Sequence, residues 1–309
     1  MSVMDDAILT GPDGAYLCVL ASGSSGNCSV LAVKRGSVIR LCLIDAGISP
    51  RRTVRLLAER GLRPDQIDDV LLTHLDADHC CATWQRRLPA HARLRVHAAH
   101  EQEAVRAGWA DTAARMVCFD APFDLAPGVR VNPILSAHDA LGSATLRIDF
   151  SGDENARLGF ATDLGRVSGE LVEHLLDVDV LAIESNYCPK MQEESPRPWF
   201  LKQRITGGRG HLSNSQALAA IDAIGPREHV VLLHLSRQCN CPTLVRSLHE
   251  PLGYRFTITD HERATPWIRI ARGAASRPRR RTHDHPRVVA RTPTLWDTAA
   301  APALEAAAR

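Results

Sequence analysis

The stretch "LLTHLDADHCC", Leu71 to Cys81, puts metal-ligand side chains on alternate positions, His74, Asp76 and Asp78, with His79 directly after. It closes the apolar run "IDDVLLT" (67–73), which reads as a strand. In an extended turn that alternation projects the three side chains to one side. Two carboxylates so close repel each other unless positive charge lies between them. A chain carrying this cluster must aim it into a crevice from a rigid strand end. That requirement favours an α/β architecture with its site where strands stop.

Other apolar segments end in the same chemistry. His138 and Asp139 follow "GVRVNPILSA", Asp163 ends "ARLGFATD", Glu184 and Asn186 end "DVLAIESN", and His234 ends "HVVLLH". One histidine at a strand end is more often a packed residue than a ligand. Five strand ends bearing ligand types together favour a shared metal site. Imidazole and carboxylate donors without thiolate suit Zn²⁺ or Mn²⁺, with Fe²⁺ as a further candidate. One ion takes three or four ligands, and His74, Asp76, Asp78, His79, His138, Asp163 and His234 make seven. The expected cofactor is therefore two divalent metal ions sharing a bridging carboxylate. Such a pair generates hydroxide at neutral pH and stabilises both attacking and leaving oxygens.

The remaining pattern frames these ends. "YLCVLAS" (16–22), "CSVLAVKR" (28–35) and "SVIRLCLIDAG" (37–47) read as a strand meander, "RLRVHAA" (93–99) and "ATLRIDFSG" (144–152) as further strands, and "YRFTITD" (254–260) as an edge strand. Helical spacing predicts helices over 51–61, from His79 to about Leu88, over 101–109, and over 169–178. A further helix starts at a capping box from Ser213 to Gln216 and stops at Gly225-Pro226. "GSSGN" (23–27) lacks the Lys-Ser/Thr ending of a nucleotide-binding loop, so a tight turn is expected, with Ser25 and Asn27 bonding backbone or nearing the crevice.

Of 37 basic and 35 acidic residues, eight and three fall in 272–309, leaving the body at −3 and the tail basic. Residues 1–272 are expected to form the folded domain that carries the site, and 273–309 a disordered basic tail. The Arg-rich run 277–281 reads more readily as a solvated end than as a nucleic-acid contact. Nine scattered cysteines, the lack of a leader-like apolar segment and the lack of a membrane-length run point to reduced thiols in a cytoplasmic protein with no membrane partner. Cys239-x-Cys241 alone is weak evidence for a metal clip.

The ordered set His74-x-Asp76-x-Asp78-His79, His138, Asp163 and His234 resembles the metallo-β-lactamase fold superfamily, whose usual first motif is HxHxDH. "LASGSSGNCSVL", "LIDAG", "SAHDA", "FATDLG", "LAIESNY", "GGRGHLSN" and "LLHLS" resemble its YycJ/WalJ-like branch, over about residues 16 to 260. The resemblance implies a four-layer αββα sandwich with a dinuclear site at its edge. It implies that His74, Asp76 and His138 hold one metal, that Asp78, His79 and His234 hold the other, and that Asp163 bridges. Asp45 would order the first-motif loop from behind. The implied activity is that of a metal-dependent hydrolase, a phosphodiesterase or nuclease of the exonuclease type, with Asp78 and His211 catalytic. His211 would protonate the leaving oxygen or bind the transition state.

The glycines at 207, 208 and 210 and the helix start at Ser213 suggest a phosphate seat. Lys202, Arg204 and Arg209 would neutralise a phosphodiester, with Asn186 beside them as a substrate contact. The expected partner is a nucleic acid or another phosphodiester. The alternatives are a small-molecule hydrolase acting on a cyclic phosphodiester, lactone or thioester, and a non-catalytic metal-binding protein.

Overall fold

The computed structural model describes residues 7–109, 115–152 and 155–272, so the expected disordered tail lies outside the described residues. One sheet contains β1 (Gly14–Ala21), β2 (Cys28–Arg35), β3 (Val38–Ile44), β4 (Ile67–Leu71), β5 (Arg93–His97) and β6 (Met116–Phe119). The other contains β7 (Phe123–Ala126), β8 (Val129–Ser136), β9 (Ser143–Phe150), β10 (Arg157–Ala161), β11 (Val180–Glu184), β12 (His229–Leu233) and β13 (Arg255–Ile258). A last strand, β14 (Ile268–Ile270), returns to the first sheet beside β1. The strand orders are β14-β1-β2-β3-β4-β5-β6 and β13-β12-β11-β10-β9-β8-β7.

Strand alternation builds the layers. In β1, Leu17 and Val19 face the second sheet, while Cys18 and Leu20 face the opposite way, where Leu56 and Leu57 of the helix Pro50–Ala58 pack. In β11 and β12, Val180, Ala182, Val231 and Leu233 join the core between the sheets. Their alternates Leu181, Ile183, Val230 and Leu232 meet Leu171, Ile221 and Val245 of covering helices. Three stacked apolar cores therefore make four layers, helix, sheet, sheet and helix, as expected.

β3 to β6 run parallel, as do β10 to β13. Parallel strands bring their carboxyl ends to one edge, and this aligns the ligand-bearing ends foreseen from sequence. The helix from Ser213 forms as expected over Asn214–Ile224: Ser213 and Gln216 cap each other, and Gly225 closes it at φ 66°.

Three readings need correction. Residues 79–88 hold a short 3₁₀ turn, Ala82–Arg86, instead of a full helix. Ala46 takes the chain there as a strand-like bridge to Cys80, which removes the local ladder a helix needs. The strands β6, β7 and β14 and the helices Pro189–Glu194, Trp199–Thr206 and Pro242–His249 were not foreseen. They are short, and their periodicity is too brief to register. The helix expected over 51–61 begins one residue earlier, capped by Ser49, and ends at Ala58. Among the described residues no helix is long and apolar enough to cross a membrane. All nine cysteines are free thiols.

Candidate metal centre

Asp163, which follows β10, stands at the centre of the site. Its Oδ2 lies 3.1 Å from His79 Nε2, 3.4 Å from His74 Nε2 and 3.8 Å from His138 Nε2, and its Oδ1 lies 3.5 Å from His234 Nδ1. Four imidazoles from three strand ends, those of β4, β8 and β12, thus converge on one buried carboxylate. Asp78 Oδ2 is 3.3 Å from His234 Nε2 and 3.8 Å from His79 Nε2. Asp76 Oδ2 is 3.9 Å from His74 Nε2 and 4.0 Å from His138 Nε2, and its side chain is the most exposed of the seven, at 45%. The donor atoms fall into two groups that meet at Asp163: His74 with His138, and Asp78 with His79 and His234. A third group joins Glu184 and His211 to Asp163 and His234.

Backbone geometry sets this aim. Asp163 and His234 adopt φ of 51° and 56°, and Asp45 and Asp139 also have positive φ. Such left-handed residues cost about 1 kcal/mol or more each and persist where the fold over-determines them. Here they turn the chain sharply at the strand ends, so the side chain points into the crevice. Gly47 lets the end of β3 lie against the His74–His79 loop, since a Cβ there would stand 1.7 Å from the Asp78 carbonyl oxygen.

A ring of contacts holds the imidazoles from behind. Asp45 accepts hydrogen bonds from Thr73 N at 2.8 Å and from the Thr73 hydroxyl, and its Oδ2 lies 2.7 Å from His79 Nδ1. The Thr73 hydroxyl lies 3.0 Å from His74 Nδ1, and the Gly210 carbonyl 2.9 Å from His138 Nδ1. With the rear nitrogen of each ring held in this way, Nε2 of His74, His79 and His138 is presented to the crevice. The Asn27 amide reaches His79 Nε2 at 2.9 Å, so the turn at 23–27 does approach the crevice.

The electrostatics favour cations. Burial opposes charge on His79, yet Asp163 and Asp45 hold its imidazolium well above the ordinary range. Burial likewise opposes charge on His234, and Asp163, Asp78 and Glu184 outweigh it, raising the group to about 10. Burial disfavours the Asp78 carboxylate, but the His234 and His79 contacts bring it down to about 2. Carboxylates that attract protons this strongly attract any cation placed among them. His74 Nε2 is buried without a hydrogen-bond partner, an atom normally satisfied in a folded interior. This orphaned nitrogen, with a donor set of imidazoles and carboxylates, fits a divalent metal ion.

A cavity of about 330 Å³ opens over the cluster, lined among others by Asp76, Asp78, His138, Asn186, Arg197, Arg204 and His211. His211 Nδ1 lies 2.6 Å from Glu184 Oε1, and the other Glu184 oxygen accepts from Leu164 N at 2.8 Å. Asn186 donates to the His234 carbonyl at 2.9 Å and its amide lies 2.9 Å from His234 Nδ1, so it buttresses that histidine while bordering the cavity. Arg204 reaches the cavity with its guanidinium paired to Asp139. Lys202 donates instead to the Glu193 carbonyl at 2.6 Å, and neither Lys202 nor Arg209 lines the cavity. The helix start at Ser213 is no open phosphate seat, because Ser213 and Asn214 are buried and the capping box occupies its donors.

Sequence reasoning counted Glu184 among the strand-end ligand types without giving it a role, and overlooked Arg197. A charge ending the apolar "VLAIE" was an available clue for Glu184. Arg197 sits in a polar stretch without periodicity, and only its tertiary neighbours distinguish it.

Fold and site together define a member of the beta-lactamase superfamily. A family profile described as "Beta-lactamase superfamily domain" matches residues 40–235, and the chain belongs to that family. Among curated proteins the chain is similar to the exodeoxyribonuclease WalJ of Streptococcus pneumoniae, 29% identical over 273 residues, covering 83% of this chain and 98% of that protein. It is also 29% identical to the exodeoxyribonuclease YycJ of Bacillus anthracis, over 75% of this chain and 87% of that one. Among solved structures, the metallo-beta-lactamase fold protein YhfI from Bacillus subtilis superposes with a TM-score of 0.60 at 15% identity, covering 82% of this chain and 99% of that one. Zinc-bound PqqB from Methylobacterium extorquens gives 0.60 at 17% identity, covering 81% and 99%. These two likenesses establish the shared fold.

Proposed function

We propose that this chain is a metal-dependent phosphodiesterase acting on nucleic acid, a nuclease with two divalent ions shared through Asp163. The observation that carries the reading is the convergence of His74, His79, His138 and His234 on the buried Asp163 carboxylate, beneath an open cavity. Relatives named exodeoxyribonuclease, matched along most of both chains, support nucleic acid as the substrate. Free thiols throughout suit a reducing, cytoplasmic setting.

In this reading His74, Asp76 and His138 hold one ion, Asp78, His79 and His234 the other. Bound there, divalent ions would supply Lewis acidity toward a phosphoryl oxygen and lower the pKa of a water. Zn²⁺ and Mn²⁺ both suit the donors, and the harder oxygen of Asp76 in place of an imidazole favours Mn²⁺ or Fe²⁺ at the first position. The chain's own residues divide the remaining work. Asp45, Thr73, Gly210 O and Asn186 hold the imidazoles in orientation. Glu184 fixes His211 through Nδ1, leaving Nε2 as the nitrogen that exchanges a proton with the leaving oxygen. Arg197, bordering the cavity, is placed to meet a phosphate.

The test is metal quantification of purified protein together with hydrolysis of single- and double-stranded DNA and RNA in Mn²⁺ or Zn²⁺. Bound metal and nucleic-acid cleavage are expected. Turnover of a lactone or thioester with no cleavage of any nucleic acid would replace this reading by a small-molecule hydrolase. Absence of tight metal would leave a different class of protein altogether.

A further inference from the structure

The rim of the cavity carries an arrangement that the chemistry below it does not use. Trp199 and Phe200 are 73% and 70% exposed, the most exposed large apolar side chains among the described residues; the next is Val38 at 55%. Exposing two adjacent aromatics is unfavourable in water, and such a patch ordinarily marks a binding surface. They begin the helix Trp199–Thr206, whose Leu201, Arg204 and Ile205 line the cavity. Phe200 stands one helical turn before Arg204 on the same stripe, so it borders the wall that Arg204 forms without lining the cavity itself. Trp199 shares its stripe with Lys202 and Gln203, which do not line the cavity, so its ring stands on the outer side of the helix, one step beyond Phe200.

Arg197 stands two residues before the pair. Its guanidinium donates to Gln238 Oε1 at 3.0 Å, Gln192 Oε1 at 3.2 Å and the Ser236 hydroxyl at 3.2 Å. All three acceptors are neutral. They fix the guanidinium at the cavity wall without cancelling its charge, in contrast to Arg204 with its Asp139 partner. A cation held in this way is ready for an anion arriving in the cavity.

The cavity, at about 330 Å³, is at the small end of ligand sites, so a polymer can place little more than a terminal unit inside it. The rest must lie across the rim. We propose that Trp199 and Phe200 are a stacking platform for the bases next to a single-stranded nucleic-acid end, with Arg197 taking the phosphate between platform and cavity. Aromatic faces accept any base, so the platform selects strandedness and not sequence, because bases paired within a duplex do not offer free faces. The inference rests on the nuclease reading of the same site and specifies what the site grips.

The test uses the full metal-loaded chain, a mixed-sequence single-stranded oligodeoxynucleotide, and methyl p-nitrophenyl phosphate as a diester too small to reach the rim. The double variant Trp199→Ala/Phe200→Ala is expected to lower the ratio of kcat/KM for the oligonucleotide over the small diester by roughly tenfold or more, the scale of one lost base stack. Trp199→Phe/Phe200→Trp should retain most of that ratio, since either ring stacks. A phosphorothioate oligonucleotide that resists cleavage should quench the fluorescence difference between wild type and Trp199→Phe. Arg197→Ala should weaken oligonucleotide binding and reduce its salt slope by about one ion.

An unchanged ratio in the double-alanine variant of an enzyme that cleaves the oligonucleotide overturns the platform and leaves the nuclease reading standing. Equal loss on both substrates also overturns it, by assigning the aromatics to the shape of the cavity. So does a wild-type dimer that the double variant dissociates in sedimentation, which would give the patch to a second copy. A wild type that cleaves no nucleic acid removes both readings.

Discussion

At the edge where β3, β4, β8, β10, β11 and β12 end, imidazoles and carboxylates crowd beneath a cavity of about 330 Å³, and the buried His74 Nε2 has no hydrogen-bond partner. At the opposite edge, where the same strands begin, a larger cleft of about 980 Å³ lies among Arg40, Arg93, Arg130, Arg157 and Arg227. Each of those arginines has a carboxylate within 4.0 Å, Asp68, Asp69, Asp124, Asp149 and Asp179 respectively; Arg272 also lines the cleft and has no such pair among the described residues. The larger opening spreads separate Arg–Asp pairs along its walls, while in the smaller one imidazoles and carboxylates converge on the single Asp163 carboxylate. Volume is therefore the poorer guide to function here, and converging ligand chemistry the better one.

The sharpest way to break this comparison is to remove charge from the centre of the site. Asp163→Asn keeps the side-chain shape and tolerates the positive φ. It should cost more than roughly 100-fold in metal affinity and in diester turnover, above what losing an outer partner costs, as read by metal analysis and kinetics. The matching change at the far edge is Asp69→Ala, which strips a carboxylate 2.7 Å from the buried Arg95 and 3.0 Å from Arg93. It should destabilise the fold by about 3 kcal/mol in denaturant unfolding and leave metal content intact. If Asp69→Ala lost metal and Asp163→Asn did not, the roles of the two edges would be reversed.

A smaller effect is expected behind the ligands. Asp45→Asn should lower metal affinity or activity by about 10- to 100-fold through misorientation of His79 and Thr73. Metal titration would show it as weaker binding with unchanged stoichiometry.

The two edges also answer pH with opposite sign. At the far edge, burial and the Arg255 charge push His229 down to about 4. Its folded value lies below the ordinary one of about 6.5. Its contribution to stability is therefore present above that pH and lost as pH falls through about 4. His234 is raised to about 10, so its contribution is fully present below about 6.5 and lost as pH climbs through 10. In protein treated with a chelator, melting temperature should fall on both sides of neutrality. His229→Gln should flatten the acid limb. Adding Mn²⁺ or Zn²⁺ should flatten the alkaline limb, because a metal replaces the proton among the same carboxylates. The subtlest expectation concerns Asp76: Asp76→His should move metal preference toward Zn²⁺, measured by competition between Zn²⁺ and Mn²⁺.

Much of this edge was legible because ligand chemistry at strand ends is a local pattern. The alternation through His74, Asp76 and Asp78 and the apolar runs before Asp163 and His234 are readable without neighbours. Basic side chains are less legible. Lys202, Arg204 and Arg209 look equivalent in sequence, yet one binds a carbonyl, one pairs with Asp139, and the third does not line the cavity. Arg197 shows no pattern at all, and its position emerges only from Gln192, Ser236 and Gln238. The partner of a long flexible cation is set by whatever the fold brings within reach.

The sequence by itself determined the α/β class and the set of ligand-type residues, and its resemblance to the superfamily implied the four layers. Strand periodicity and donor chemistry are properties of a residue and its near neighbours. Only the tertiary structure decided that four histidines share Asp163, that Glu184 stands behind His211, and that five arginines of the larger cleft are already paired. Those relations join strands far apart in the chain, and they arise from strands ending at one edge, where the left-handed backbone of Asp163 and His234 turns those two side chains inward.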